Sequence, residues 1–91
     1  MTKEILKTDN KDRFSIKFKW ECSENITSIK FEGFEKPDED LFFTGFIKFD
    51  GCMEIHDLNY HFCFRDDILQ RVVNLIYDTA KEIMKDNGDF N

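Results

Sequence analysis

The feature that most constrains this chain is a single change of hydrophobic period between Leu41 and Asp86. From Leu41 to Ile55 apolar and polar residues alternate around Asp50-Gly51, a dipeptide suited to the positive φ values of a tight β-hairpin turn. After Arg65 the period lengthens, and Ile68, Leu69, Val72, Val73, Ile76, Ala80, Ile83 and Met84 recur at the spacing of one helix face. The pattern predicts an α+β fold: a four- to five-stranded antiparallel meander followed by one C-terminal helix packed on one face.

The segment from Arg13 strengthens the meander. Phe14, Ile16, Phe18, Trp20 and Cys22 alternate with Ser15, Lys17, Lys19 and Glu21, as in a half-buried antiparallel strand. Ser23 to Ile26 reads as a turn, and Thr27 to Gly33 returns with Ile29 and Phe31 inward. Pairing Trp20 with Ile29 and Phe18 with Phe31 keeps both apolar sets on one face and sets Lys17 against Glu32. The same register sets Lys19 against Lys30. A loop at 35–40 leads into a third strand, Leu41 to Lys48. A three-residue turn Phe49-Asp50-Gly51 aligns Ile47 with Met53 and Gly45 with Ile55, and a second turn at His56 to Asn59 aligns Ile55 with Tyr60.

Asp67 and Gln70 form a capping-box pattern at the helix start, Lys81 and Lys85 suit its far end, and Gly88 suits its stop. Residues 1–12, polar apart from Ile5 and Leu6, read as a flexible or loosely docked arm. Residues 13–88 form one domain, with the meander over 13–64 and the helix over 66–87. The expected core joins Ile68, Leu69, Val72, Ile76, Ala80 and Ile83 to Phe14, Phe18, Trp20, Ile29, Phe31, Ile47, Ile55, Tyr60 and Phe62. Eleven Phe in 91 residues let so short a chain build that core from few side chains.

Charge is unevenly placed within a net −6. Residues 1–31 hold seven Lys/Arg against five Asp/Glu, giving +2, and residues 32–91 hold six against fourteen, giving −8. An acidic chain repels nucleic-acid phosphates and favours basic partners. No apolar run approaches a bilayer span, and the first residues lack the apolar stretch of a signal peptide, so a cytoplasmic location is expected. Three Cys in such a chain read as free thiols rather than a disulfide framework.

The second turn would bring Glu54 opposite His61 and Cys52 opposite Cys63, donor types that suit zinc. Neither Cys-x-Glu nor His-x-Cys is a recognised zinc spacing, and Cys serves equally as a small apolar residue, so no metal or cofactor is expected. There is no phosphate-binding Gly-rich loop and no nucleophile elbow, so no enzyme chemistry is expected either. Phe42 and Phe46 fall out of phase with Phe43 and Ile47, which places them on the face the helix leaves open, either as an interface or covered there by a curl of the sheet or by Ile5 and Leu6 of the N-terminal arm. Together with Glu35, Asp38, Glu39 and Asp40 they form the expected partner-binding site, aromatic anchors bordered by acids.

In topology alone, the sheet followed by a helix resembles single-strand nucleic-acid binders of the transcriptional-coactivator type. That resemblance carries over no residues; separately, aromatics interleaved with Lys17, Lys19, Lys30 and Lys48 on a sheet give single-stranded nucleic-acid binding as the alternative function, against which the net charge stands. In size and charge the chain is similar to small phage and mobile-element antagonists of defence nucleases, anti-CRISPR proteins among them. The function expected is non-enzymatic: an inhibitor, immunity or adaptor protein occupying a basic surface of a larger protein, such as a nucleic-acid enzyme. A homodimer is compatible with the same features.

Overall fold

A computed structural model describes residues 2–9, 14–21, 26–35, 40–49, 53–60 and 66–86; side chains of Glu35, Asp40, Leu41, Phe42, Tyr60, Asp66, Asp67 and Ile68 lie outside that description. Five antiparallel strands follow one another across a single sheet: β1 (Thr2–Thr8), β2 (Phe14–Glu21), β3 (Ser28–Glu35), β4 (Asp40–Phe49) and β5 (Met53–Tyr60). Among the described residues one helix, α1 (Asp66–Asp86), follows the strands. The fold is the α+β meander that the period change predicts.

The core forms where the two periodicities meet. On the sheet side Phe14, Ile16, Phe18, Ile29, Phe31, Phe43 and Ile47 are buried; on the helix side Val72, Ile76, Ala80 and Ile83 are buried. The helical residues follow a three- and four-residue spacing and so fall on one face. Ile26, expected within a turn, is also buried, and Phe49 N–H donates to Thr27 O at 3.0 Å, which carries the β3–β4 ladder past Ser28. Trp20 and Ile55 are only partly buried, at the margins of the core.

The β2–β3 register agrees with the sequence reading: Phe18 faces Phe31, Lys17 faces Glu32 and Lys19 faces Lys30. Two glycines shape the middle of the sheet. Phe43 lies opposite Gly33 and Phe31 lies opposite Gly45, and each ring occupies the space above the glycine. A Cβ on Gly45 would lie 2.6 Å from Phe31 Cζ, and one on Gly33 would fall within the Phe43 ring. These positions are held as glycine by close approach of an aromatic ring.

Several expectations are corrected. Residues 2–8 are an edge strand rather than a loose arm, with Ile5 opposite Phe18 and packed on the core. The β4–β5 register is two residues away from the expected one: Ile47 faces Ile55 and Phe49 faces Met53, so Phe49 belongs to the sheet and the connection is 50–52. No hairpin forms at His56 to Asn59. Those residues lie inside β5, where the register shifts and Asp57 adopts φ 52°. Asn59 Nδ2 donates to Asp57 O at 2.9 Å. Asp and Asn tolerate the left-handed region and bond their own backbone, which suits a bulge as well as a turn. The bulge returns Leu58 to the helix face, where it packs against the core.

At the helix start Gln70 Nε2 donates forward to Asn74 Oδ1 at 2.9 Å, and the Asp67 side chain of the expected capping box lies outside the description. Gly88, Phe62 and Cys22 lie outside the described residues. A polar tie joins the end of β1 to the helix: Asp9 N–H donates to Phe14 O at 2.9 Å, and Asp9 Oδ2 lies 3.7 Å from Arg71 Nη2. Asp9 is buried and faces the Arg71 charge, although at this separation neither Asp9 Oδ2 nor Arg71 Nη2 makes a hydrogen bond, so the pair offsets the cost of burial only in part.

Candidate functional site

Because α1 covers one face of the sheet, the strand residues of opposite phase define an open face. Lys17 and Lys19 of β2, Lys30 and Phe34 of β3, Phe46 and Lys48 of β4, and Glu54 and His56 of β5 belong to it. Phe46 is central: on one side it pairs with Lys30 and on the other with His56. Its ring stacks on the His56 imidazole, with centroids 5.6 Å apart and planes 14° from parallel. Both side chains are half-buried, so the pair presents a flat, partly accessible surface.

Charges of both signs surround this pair, with Lys30 beside Phe46 and opposite Lys19. His56 Nε2 lies 3.3 Å from Glu54 Oε2, and Glu54 is opposite Lys48. Lys19 Nζ lies 3.9 Å from Glu4 Oε2, and Lys17 is opposite Glu32 with its ammonium 5.7 Å from the centroid of the Phe34 ring. A face with rings at its centre and both signs of charge around them is chemically suited to a protein surface. A phosphate backbone would instead favour an excess of positive charge.

The structure brings together only part of the expected site. Phe46 is on the open face, as its phase predicts. Glu35 and Asp40 are paired at the far ends of β3 and β4, which puts the backbone of Asp40 about 20 Å along the strand from Phe46 at the usual rise per residue. Phe42 is the extra residue where the β3–β4 register shifts, and its side chain lies outside the description, as do Asp38 and Glu39.

The zinc arrangement loses its basis. It required a hairpin to fold His61 and Cys63 back over Glu54 and Cys52, whereas Met53–Tyr60 is one strand with Glu54 beside Lys48 and His56. Cys52, His61 and Cys63 themselves lie outside the described residues. Among the described residues no group of three or more His, Cys, Asp or Glu is placed to hold a metal ion.

Sequence reasoning missed His56, because it was assigned to a turn. The available signal was the alternation itself: continuing the period from Met53 through Ile55 puts Glu54 and His56 outward together. No helix among the described residues is long and apolar enough to cross a membrane. The chain matches no protein-family model, no curated protein and no solved structure.

Proposed function

We propose that this chain is a non-enzymatic protein-binding module that occupies a basic surface of a larger partner through the open face of its sheet. The observation that carries the reading is the Phe46–His56 stack at the centre of that face. Aromatic groups in the middle of a patch supply buried area at low entropic cost, and charges at the rim set orientation and encounter rate. The net charge of −8 over residues 32–91 favours long-range encounter with a basic partner, while the open face itself carries both signs. Proteins that handle nucleic acid carry broad basic surfaces, so a nucleic-acid enzyme fits as the partner and inhibition, immunity or adaptation fits as the role. A cytoplasmic setting suits such a partner.

A second reading is supported by one specific feature. Lys17, Lys19, Lys30 and Lys48 share the open face with Phe34 and Phe46, the combination of cations and rings that single-stranded nucleic acid uses. Against it, Lys17 faces Glu32, Lys19 lies near Glu4 and Lys48 faces Glu54, which cancels the positive groove that phosphates require.

Affinity capture from a native lysate with parent and Phe46→Ala baits, each with and without nuclease, separates the two. The protein-binding reading expects a stoichiometric protein that survives nuclease and is lost with Phe46→Ala. A nuclease-sensitive oligonucleotide in its place would overturn that reading in favour of the second.

A further inference from the structure

The sheet ends at β1, and among the described residues no strand pairs with its outer edge. Pairing with β2 fixes its faces: Lys3, Ile5 and Lys7 share the helix side with Trp20, Phe18 and Ile16, while Glu4 and Leu6 share the open side with Lys19 and Lys17. Leu6 is 60% exposed, the one large exposed apolar residue among those described. Such an edge ordinarily pairs with another strand unless charge guards it. Lysine is the usual guard, but Lys7 is drawn toward the helix, its Nζ 3.3 Å from Glu82 Oε2.

Beside this edge runs a groove of about 550 Å³ between the strand and the end of α1. Ile5, Trp20 and Ile83 supply its apolar lining, and Glu4, Glu82 and Asp86 outnumber Lys3 and Lys7 among its charged residues. A strand added to β1 would send alternate side chains into this groove, so the groove selects a strand that alternates basic and apolar residues. Lys3, Ile5 and Lys7 of β1 itself have that pattern.

We propose that β1 pairs with β1 of a second copy of this chain, antiparallel about a twofold axis at Leu6, joining two sheets into one. The register follows from the side chains. Residues directly opposite must share a face, so the axis passes through a residue rather than between two. An axis at Glu4 would set two Glu4 carboxylates against each other, and one at Ile5 would set Lys3 against Lys7 twice. Like charges directly opposite are unfavourable. An axis at Leu6 places Leu6 on its counterpart, Ile5 against the aliphatic stem of Lys7, and Glu4 against Thr8. In that register Ile5 and Lys7 of the second copy enter the groove, where Ile83 meets the apolar side chain and Asp86, beside the Lys7–Glu82 pair, meets the ammonium.

Sedimentation equilibrium over a wide concentration range tests this, and the expected result is a reversible dimer. Leu6→Lys should weaken it at least tenfold while leaving the melt of the dilute monomer in place, since Leu6 is 60% exposed. Leu6→Cys should yield a disulfide between the two introduced thiols, located by peptide mapping. Opposed Cα atoms in an antiparallel pair are about 4.5–5.5 Å apart, within disulfide range. Glu4→Cys should not cross-link to itself. A monomer up to about millimolar concentration, a dimer indifferent to Leu6→Lys, or a preferential Glu4→Cys disulfide would each overturn the proposal.

Discussion

Gly33→Ala is a small change with a sign the structure decides. In an ordinary strand a glycine-to-alanine substitution gains roughly 0.4–1 kcal/mol, because alanine loses less backbone entropy on folding. Here the new Cβ would enter the space occupied by the Phe43 ring. That ring cannot swing aside cheaply: Phe43 is fully buried, and it meets Phe31 edge-on with centroids 6.0 Å apart. Phe31 in turn contacts Phe18 at 6.4 Å, so displacement would spread along a row of rings. Overpacking of this kind costs about 1–3 kcal/mol, which outweighs the entropic gain and leaves a net loss of about 1–2 kcal/mol. For a domain this size that lowers the melting temperature by roughly 4–16 °C. Thermal melts followed by circular dichroism measure it directly. Phe43→Leu should destabilise the parent but partly restore Gly33→Ala, a coupling that appears only if ring and methyl compete for one space. A Gly33→Ala protein that melts at or above the parent temperature would refute this packing.

Ile76→Asp places an unpartnered carboxylate in the middle of the helix–sheet core, where Ile76 is fully buried; the expected cost of several kcal/mol unfolds so small a domain, and a cooperative melt would refute the helix face. Asp9→Ala strands Arg71, whose side chain is 24% exposed, so the loss should fall to about 1–3 kcal/mol, below that of a fully buried pair; an unchanged urea midpoint would show the tie to be idle. In binding to the captured partner, Phe46→Ala should chiefly speed dissociation. Neutralising Asp38, Glu39 and Asp40 together should slow association and flatten its salt dependence, because exposed charges act over about 8 Å at physiological salt; stopped-flow traces separate the two effects.

The parts of the fold visible in the sequence are those carried by strict period. The β2–β3 register needed only that Phe18, Phe31 and Ile29 share a face, and any slip by one residue would have exposed them. The helix stripe was equally plain. What the sequence concealed was how residues with two conformational uses are employed. His56-Asp57-Leu58-Asn59 has the composition of a turn, yet tertiary pairing with β4 draws it into a bulged strand. Thr2–Thr8 has little apolar content, because an edge strand needs only Ile5 to dock; its ladder with β2 supplies the rest. The open face was legible in Phe46, which sits where its phase places it. Its partner His56 was hidden by the same turn assignment.

A protein partner seated on the open face around Phe46, as proposed, would leave its footprint there. The most direct test is an amide chemical-shift titration of the isotopically labelled chain with the captured partner. Shifts should concentrate at Lys30, Phe46, Lys48 and His56, with the outward helix positions Asn74, Asp78 and Lys81 unmoved. A footprint centred on those helix positions, with Phe46 and His56 unchanged, would contradict the proposal.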